Sequence, residues 1–470
     1  MPVANISPSP PTHKEIAIIG DGYSAAVAAY HLLDQGCAID RIAVFGPSPV
    51  GLGQAYGPSD DEFRLNVRAN LMAIDPNDLE AFPRWAEDHL NDEGANTTAG
   101  AFYRRADFAR HLSDMLARKT NGQALHQISS RVVSAHHMPE QHWQITTEDG
   151  QKFSADCMIL ATGNPPSDLP FAKASRNEDA VITAPWRGDW RGQIAANDDV
   201  VIIGGGLTAM DAVASLYAAD QHGQDQTKIH QGKISIITPH GVLPPKQLDW
   251  QAEGEINWPT ITSASMFLRF FAQVVKPINW DDPVQQARFE ELRIHINAAW
   301  SALPLVERQR LQKRLNWRWQ LLRYRASPQA WVAVDGFTKS GQFQLINGRV
   351  NKLADADAKR INVHYSQDHA LPDNETQDHT MKADKVIIAT GAGKDPLIQQ
   401  ICHDGYADHM DGQLLLSDEL QLLSPDGDVH HRAFALGPPS LLSKGDVMGA
   451  SSIARQARDI AKKVSLALAT

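Results

Sequence analysis

The apolar positions of this chain fall into short unbroken runs, and several of these runs stop at a glycine. EIAIIG (15–20) is one, β-branched and bounded by polar residues, the pattern of a strand covered on both faces. SAAVAAYHLLDQ (24–35) follows with helix formers at helical spacing, and Gly36 stands where a C′ glycine would end that helix. RIAVFG (41–46) predicts the next strand and completes a βαβ unit. The plan then returns: VVIIG (200–204) as strand, AMDAVASLYAAD (209–220) as helix, a polar loop at 221–232, and KISIIT (233–238) as strand. CMILATG (157–163) and KVIIATG (385–391) predict two more strands, each closing on Ala-Thr-Gly.

Elsewhere the period changes. Residues 255–330 read as helices carrying Trp258, Trp280, Trp300, Trp317 and Trp319, a helical insertion. Residues 353–383 are polar and poorly patterned, a surface excursion. RAFALG (432–437) predicts a strand and GASSIARQARDIAKKV (449–464) an amphipathic helix. The expected fold class is α/β, with two Rossmann-like dinucleotide-binding units. One takes 15–185 and 392–470; the other, inserted, takes 186–254 and 331–391. Residues 255–330 form the insertion and 1–14 a disordered tail.

Charge and composition narrow the partners. A net charge of −11 argues against nucleic acid or an anionic membrane surface as the main partner. No run approaches the roughly 20 apolar residues that span a bilayer. The opening MPVANISPSPPTHK lacks a basic stretch followed by an apolar one, so a cytoplasmic protein is expected. Cys37, Cys157 and Cys402 lie far apart without a C-x-x-C, so neither a redox dithiol nor a metal site is expected.

The repeated turns carry the chemistry. A strand feeding a helix through G-x-G-x-x-A suits a pyrophosphate: the first glycine permits the tight turn and the second lets backbone approach the phosphates. The small third residue lets helix and strand pack, and the helix N-terminus offers free N–H groups. Gly20, Gly22 and Ala25, with Ser24, make the first such turn; Gly204, Gly206 and Ala209, with Leu207 and Thr208, make the second. Each has its strand before it and its helix and strand after it, which a chance glycine pattern lacks. Two dinucleotides are therefore expected in one chain, an electron donor and an electron carrier.

On these turns, and on GLGQAYG (51–57), RLNVRANLMAIDP (64–76), FPRW (82–85), GGGLTAMD (204–211) and AFALGP (433–438), the chain resembles flavoproteins with two dinucleotide-binding domains. Within that group it is similar to the FAD/NAD(P)-binding family related to N-hydroxylating (ornithine/lysine-type) monooxygenases. The resemblance implies FAD at the first turn and NADPH at the second. It implies that Gly53 and Ala55 let backbone run against the flavin, with Tyr56 and Leu65 beside them. Gln54 and Asn66 would face the reacting edge of the ring. Thr162, Gly163, Thr390 and Gly391 would close the strands beside the two turns, and Gly437 and Gly449 would bring the last strand and last helix to the flavin. An ordinary loop at 51–57 and a turn cap at Asn66 stay open as plain structural readings.

Two places depart from the pattern. An acid usually ends the second strand and binds the adenosine ribose, whereas Gly46 stands there, leaving Ser48 or backbone groups for that contact. IITPHGVLPPK (236–246) has no carboxylate either, and His240 and Lys246 favour NADPH over NADH. The expected function is a flavin-dependent monooxygenase that uses NADPH and O2 on a small polar substrate. Arg323 and Arg325 in LLRYR would clamp a substrate carboxylate, or else form ion pairs. The alternatives are an FAD-dependent NAD(P)H oxidoreductase serving a small acceptor without oxygen insertion, and a non-catalytic flavin-binding regulatory protein.

Overall fold

A computed structural model describes residues 12–469 apart from 58–59, 61, 140–141, 166, 168, 170, 174–176, 188, 219–229, 252–253, 255, 276–278, 358 and 369–375. Most of the polar loop expected at 221–232, and nearly all of the tail, lie outside these residues.

The first sheet runs, edge to edge, Gln421–Leu423, Val429–Ala435, Lys152–Leu160, Thr12–Ile19, Ile42–Phe45 and His126–Ile128. From Val429–Ala435 onward neighbouring strands are parallel. Lys152–Leu160 also pairs antiparallel with Trp143–Thr147 through its first half, adding a hairpin with Val132–His137. That long strand corrects the expected tail: Thr12, His13 and Lys14 pair with Phe153, Ser154 and Ala155, so the first strand starts before residue 15. The helix Tyr23–Asp34 covers one face, ends at Gly36 with φ +82°, and packs against the final helix Ala450–Ala469.

The second sheet is wholly parallel, in the order Val181–Ile182, Lys385–Ile388, Val200–Ile203, Ile234–Thr238 and Phe343–Asn347. Every residue of Val200–Ile203 and of Ile234–Thr238 is buried, as continuous apolar runs between two covering layers should be. Val181–Ile182 pairs with Val386 and Ile387, so a stretch expected in the first unit belongs to the second sheet. Its two residues are too short for any periodicity to reveal.

The expected excursion at 353–383 is also corrected. Arg349–Asp355, Ile361–Asp368 and Thr376–Ala383 form an antiparallel sheet, joined by Ala172–Lys173. Its core face is Leu353, Ile361, Val363 and Tyr365, alternating with Asn362 and His364.

The insertion is helical: Ala264–Val274, Pro283–Ile294, Ile296–Ala302 and Leu305–Arg323. Ser263 and Asp282 cap the first two through the amides of Met266 and Val284. Ile261, Phe267, Leu292, Trp300 and Leu311 give it a small core of its own. No helix among the described residues is long and apolar enough to cross a membrane.

Candidate functional site: two glycine turns on one surface

The two turns share their first-glycine contacts, whose matching distances agree to about 0.1 Å. Gly20 has φ +128° and Gly204 φ +106°, conformations that side chains rarely adopt. A Cβ on Gly20 would overlap the carbonyl oxygen of Ala161; one on Gly204 would overlap that of Ala389. The Gly20 amide donates to Phe45 O at 2.8 Å and the Gly204 amide to Ile237 O at 2.9 Å. Gly22 and Gly206 are the N-caps of the helices Tyr23–Asp34 and Leu207–Tyr217, and neither helix has a side-chain cap. The first N–H groups of both helices are therefore free to meet an anion. Ala25 and Ala209 are fully buried where helix meets strand.

Beside each turn stands a threonine with an unmet hydroxyl. Thr162 Oγ1 and Thr390 Oγ1 are buried atoms without a hydrogen-bond partner among the described residues. A buried polar atom left so is costly, and either a water molecule or a bound group would supply the partner. Gly163 (φ +70°) and Gly391 (φ +94°) follow them in open space.

Contacts run from one turn to the other. Gly53 lies against Gly22, close enough that a Cβ on Gly53 would stand 2.5 Å from Gly22 Cα. Gly53 opens the short helix Gly53–Tyr56, which carries Gln54 half-buried and Ala55 exposed. The Tyr56 ring packs on Phe108 and Tyr23, with centroids 5.0 and 5.8 Å away. Burial pushes the Tyr56 hydroxyl up to about 12, against the opposing pull of the Arg105 guanidinium. Arg105 in turn donates to Asp211 at 2.5 Å, and Asp211 lies on the helix that Gly206 begins. Ser215, one turn further along the same face, bonds Asp60. The second cradle is thus docked on the segment that touches the first.

Residues 17–165 match the family model described as FAD-NAD(P)-binding. No curated protein matches the chain by sequence. Solved structures similar to it include the ornithine hydroxylase of Pseudomonas aeruginosa, at 15% identity over 97% of this chain and 100% of that one, with a TM-score of 0.63. A cadaverine monooxygenase of the desferrioxamine pathway from Erwinia amylovora aligns at 12% identity over 96% of this chain and 94% of that one, with a TM-score of 0.64. A bacillithiol disulfide reductase from Staphylococcus aureus gives 12%, 98%, 100% and 0.54 in the same order. The fold is that of the two-nucleotide flavoproteins.

In flavoprotein terms, the remaining first-unit residues gather around the first cradle. Gly437 (φ +72°) faces Ser24, so that a Cβ there would come 2.8 Å from Ser24 Oγ. Tyr23 donates to Ala73 O at 2.9 Å and Ala450 O at 3.0 Å, tying the 64–76 segment and the final helix to the first turn. Leu65 is buried, its amide on Tyr103 O at 2.9 Å. Asn66 is half-buried, and its side chain makes no hydrogen bond among the described residues. The Ser48 amide bonds Asp21, and the Ser48 carbonyl accepts from Gln127.

Of the two residues expected to supply cations at the second cradle, His240 stands at the strand end beside two further arginines. His240 stacks on Trp317 of the insertion, rings 3.7 Å apart. Burial holds its imidazole below the ordinary value, and the neighbouring charges of Arg349 and Arg318 add to this. These two arginines, exposed and distant in sequence, were missed; a strand-end histidine gives no hint of them. Lys246 instead joins the second unit to the insertion, its backbone bridging Ala326 and its carbonyl accepting from Gln286 at 2.7 Å.

Arg323 is committed elsewhere. Its Nε bonds both oxygens of Asp446 at 3.0 Å, and Arg293 donates to the same carboxylate at 2.7 and 2.9 Å. A Cβ on Gly449 would meet an Arg323 nitrogen at 2.9 Å, which places that guanidinium against the start of the last helix. Arg325 bonds Glu290 and Gln247 but leaves Nη1 buried and unpartnered. Its guanidinium lies 6.0 Å from the Trp250 ring, which Arg68 covers at 4.7 Å. Arg68 Nε and the ring's own Nε1 are likewise buried and unpartnered among the described residues, so this ring and its two arginines carry three orphaned donors.

Asp211 makes the inter-unit contact sensitive to pH. Burial pushes its carboxyl up to about 6, with Arg105 opposing and Asp60 adding. A raised acid favours folding most while protonated, so this contribution is full below the ordinary value of 3.8 and is lost as pH rises through about 6. Asp211→Asn should flatten that part of the stability profile, worth roughly 2–3 kcal/mol between pH 4 and 7. Urea denaturation across this range checks it; an unchanged slope would place the titration on another group.

Proposed function

We propose that the chain is a flavin-dependent monooxygenase that takes FAD at residues 20–25, NADPH at residues 204–209, and oxygenates a small polar amine. The observation carrying this reading is the duplicated cradle, two matched glycine turns joined through Gly53, Tyr56, Arg105 and Asp211. The orphaned hydroxyls of Thr162 and Thr390 fit a bound group at each turn. When bound, FAD supplies the redox chemistry, accepting a hydride from NADPH and passing oxygen from O2 to the substrate.

The chain's own tasks are binding, orientation and exclusion of water. The free N–H groups at Gly22 and Gly206 and the dipoles of their helices hold the two pyrophosphates. Asn66, whose amide is unengaged, orients the reacting partners, with Gln54 on the neighbouring turn. Arg325 Nη1, Arg68 Nε and Trp250 Nε1 offer donors to a carboxylate or another polar group on the substrate. The aromatic insertion above them keeps out solvent. The similar proteins named for ornithine hydroxylation and cadaverine oxygenation suggest a primary amine nitrogen as the atom oxygenated.

Arg318 and Arg349, the charges beside His240, favour a 2′-phosphate, hence NADPH. Arg349→Ala should raise KM for NADPH about tenfold, the loss of one charge-assisted hydrogen bond, and leave KM for NADH near its starting value. Steady-state reduction with each nucleotide checks this; equal effects on both would remove Arg349 from the phosphate site.

The deciding experiment loads the protein with FAD, reduces it with NADPH without oxygen, and admits 18O2 with L-ornithine, L-lysine or cadaverine. A transient absorbance between the reduced and oxidised spectra, and an 18O-labelled product, are expected. Direct reoxidation with no transient and no label would instead favour electron transfer to a small acceptor. A thiol-disulfide version of that alternative has little to work with, since Cys37, Cys157 and Cys402 are all free and buried. Failure to bind FAD would leave the non-catalytic reading without its flavin and end the proposal.

A further inference from the structure

In a dinucleotide-binding unit the second strand ordinarily ends in a carboxylate that accepts from a ribose hydroxyl. Gly46 ends that strand here, yet a carboxylate occupies the place. Asp21, between the two glycines of the first turn, lays its side chain over Gly46. A Cβ built on Gly46 would stand 2.6 Å from Asp21 Cβ and 2.7 Å from Oδ2. The acid is held firmly: Oδ2 accepts from the Ser48 amide at 2.7 Å, and the Asp21 carbonyl accepts from the Gly51 amide at 2.7 Å. Gln127 braces the same loop through the carbonyls of Gly46 and Ser48, at 2.9 and 2.6 Å. Oδ1 has no hydrogen-bond partner among the described residues and remains free to accept.

We propose that Asp21 takes over the adenosine-ribose contact of the FAD cradle, and that position 46 is glycine in order to admit it. The inference rests on the reading of residues 20–25 as the flavin site. Space allows one side chain or the other: any residue at 46 would displace the acid at 21. The second cradle makes the contrast. Gly205 occupies the matching position there, where a Cβ would meet Thr238 Oγ1 and Val242 O at 3.0 Å, and the arginines around His240 take the place of an acid. A carboxylate in the first cradle suits an unmodified ribose and repels a 2′-phosphate, so the two turns also sort their nucleotides by charge.

The test titrates the apoprotein with FAD and with an FAD analogue lacking the adenosine 2′-hydroxyl, following flavin fluorescence. The unchanged protein should prefer FAD. Asp21→Ala should weaken FAD about tenfold, as expected for a hydrogen bond to a charged acceptor, and bring the preference for FAD over the analogue close to unity. Asp21→Asn keeps the volume and the Ser48 contact, and should lose part of the preference without loss of thermal stability. The double change Asp21→Gly with Gly46→Glu removes the side chain at 21 that a Cβ at 46 would strike, and should restore the preference from the ordinary position. Equal weakening of both ligands by Asp21→Ala would mean that the acid only braces the loop, and would overturn the inference while leaving the flavin reading intact. No binding of either ligand by the unchanged protein would overturn both.

Discussion

Gly204→Ala is expected to stop reduction by NADPH while leaving the flavin bound. Alanine at φ +106° carries a strain of about 1–2 kcal/mol, and its Cβ would overlap the Ala389 carbonyl oxygen. That oxygen belongs to a backbone fixed by the Ala389 amide on Ile203 O at 2.8 Å, so the neighbour cannot yield cheaply. The turn itself must move, and with it the N–H groups that would hold the pyrophosphate. A displacement of about 1 Å is enough for a loss of roughly a hundredfold in rate. The flavin should still bind and still bleach with dithionite, because the first turn makes its own equivalent contacts. Gly20→Ala should do the reverse and yield a protein that does not hold FAD. Anaerobic reduction followed in the visible range separates the two, and a Gly204→Ala protein reduced by NADPH at the original rate would refute the assignment.

The second large effect is expected at Asp446. Three arginines, 293, 323 and 325, converge on Glu290 and Asp446, of which Asp446 is buried and Glu290 half-buried. Burial alone would raise the Asp446 carboxyl, but Arg293 and Arg323 hold it below the ordinary value. Asp446→Ala leaves Arg293 and Arg323 short of a partner inside the protein. Such a loss costs about 3–5 kcal/mol, far beyond an exposed ion pair. A depressed acid contributes its stability above its ordinary value and loses it as pH falls, so acid should weaken the unchanged protein here and the variant less. Denaturant unfolding at pH 7 and pH 4 measures both effects. A loss under about 1 kcal/mol at pH 7 would mean that solvent replaces the missing carboxylate.

Much of this was legible in the chain because it is local. Gly36 ends its helix, and the runs 15–20, 200–204 and 233–238 are buried strands, since continuous apolar runs have few other places to go. The sheet at 349–383 was missed although Ile361, Val363 and Tyr365 alternate with polar residues. Three strands on one buried face look polar when averaged over thirty residues. Charge pairing was the least legible. Arg323 looks available beside Arg325, but its partner Asp446 lies 123 residues onward. The carboxylate absent from position 46 is supplied by residue 21, which only the folded turn reveals.

The same long-range ties set a limit on how the molecule can work. Arg105 and Asp211 join the halves at one place, Arg68 joins Leu248 and Trp250 at another, and Arg293 and Arg323 clasp Asp446 at a third. A swivel of one half against the other would have to strip all three at once and leave guanidinium groups stranded. If the two cradles take nucleotides as proposed, exchange through loop and side-chain movement would spare all three ties, whereas rotation of the halves would cost them.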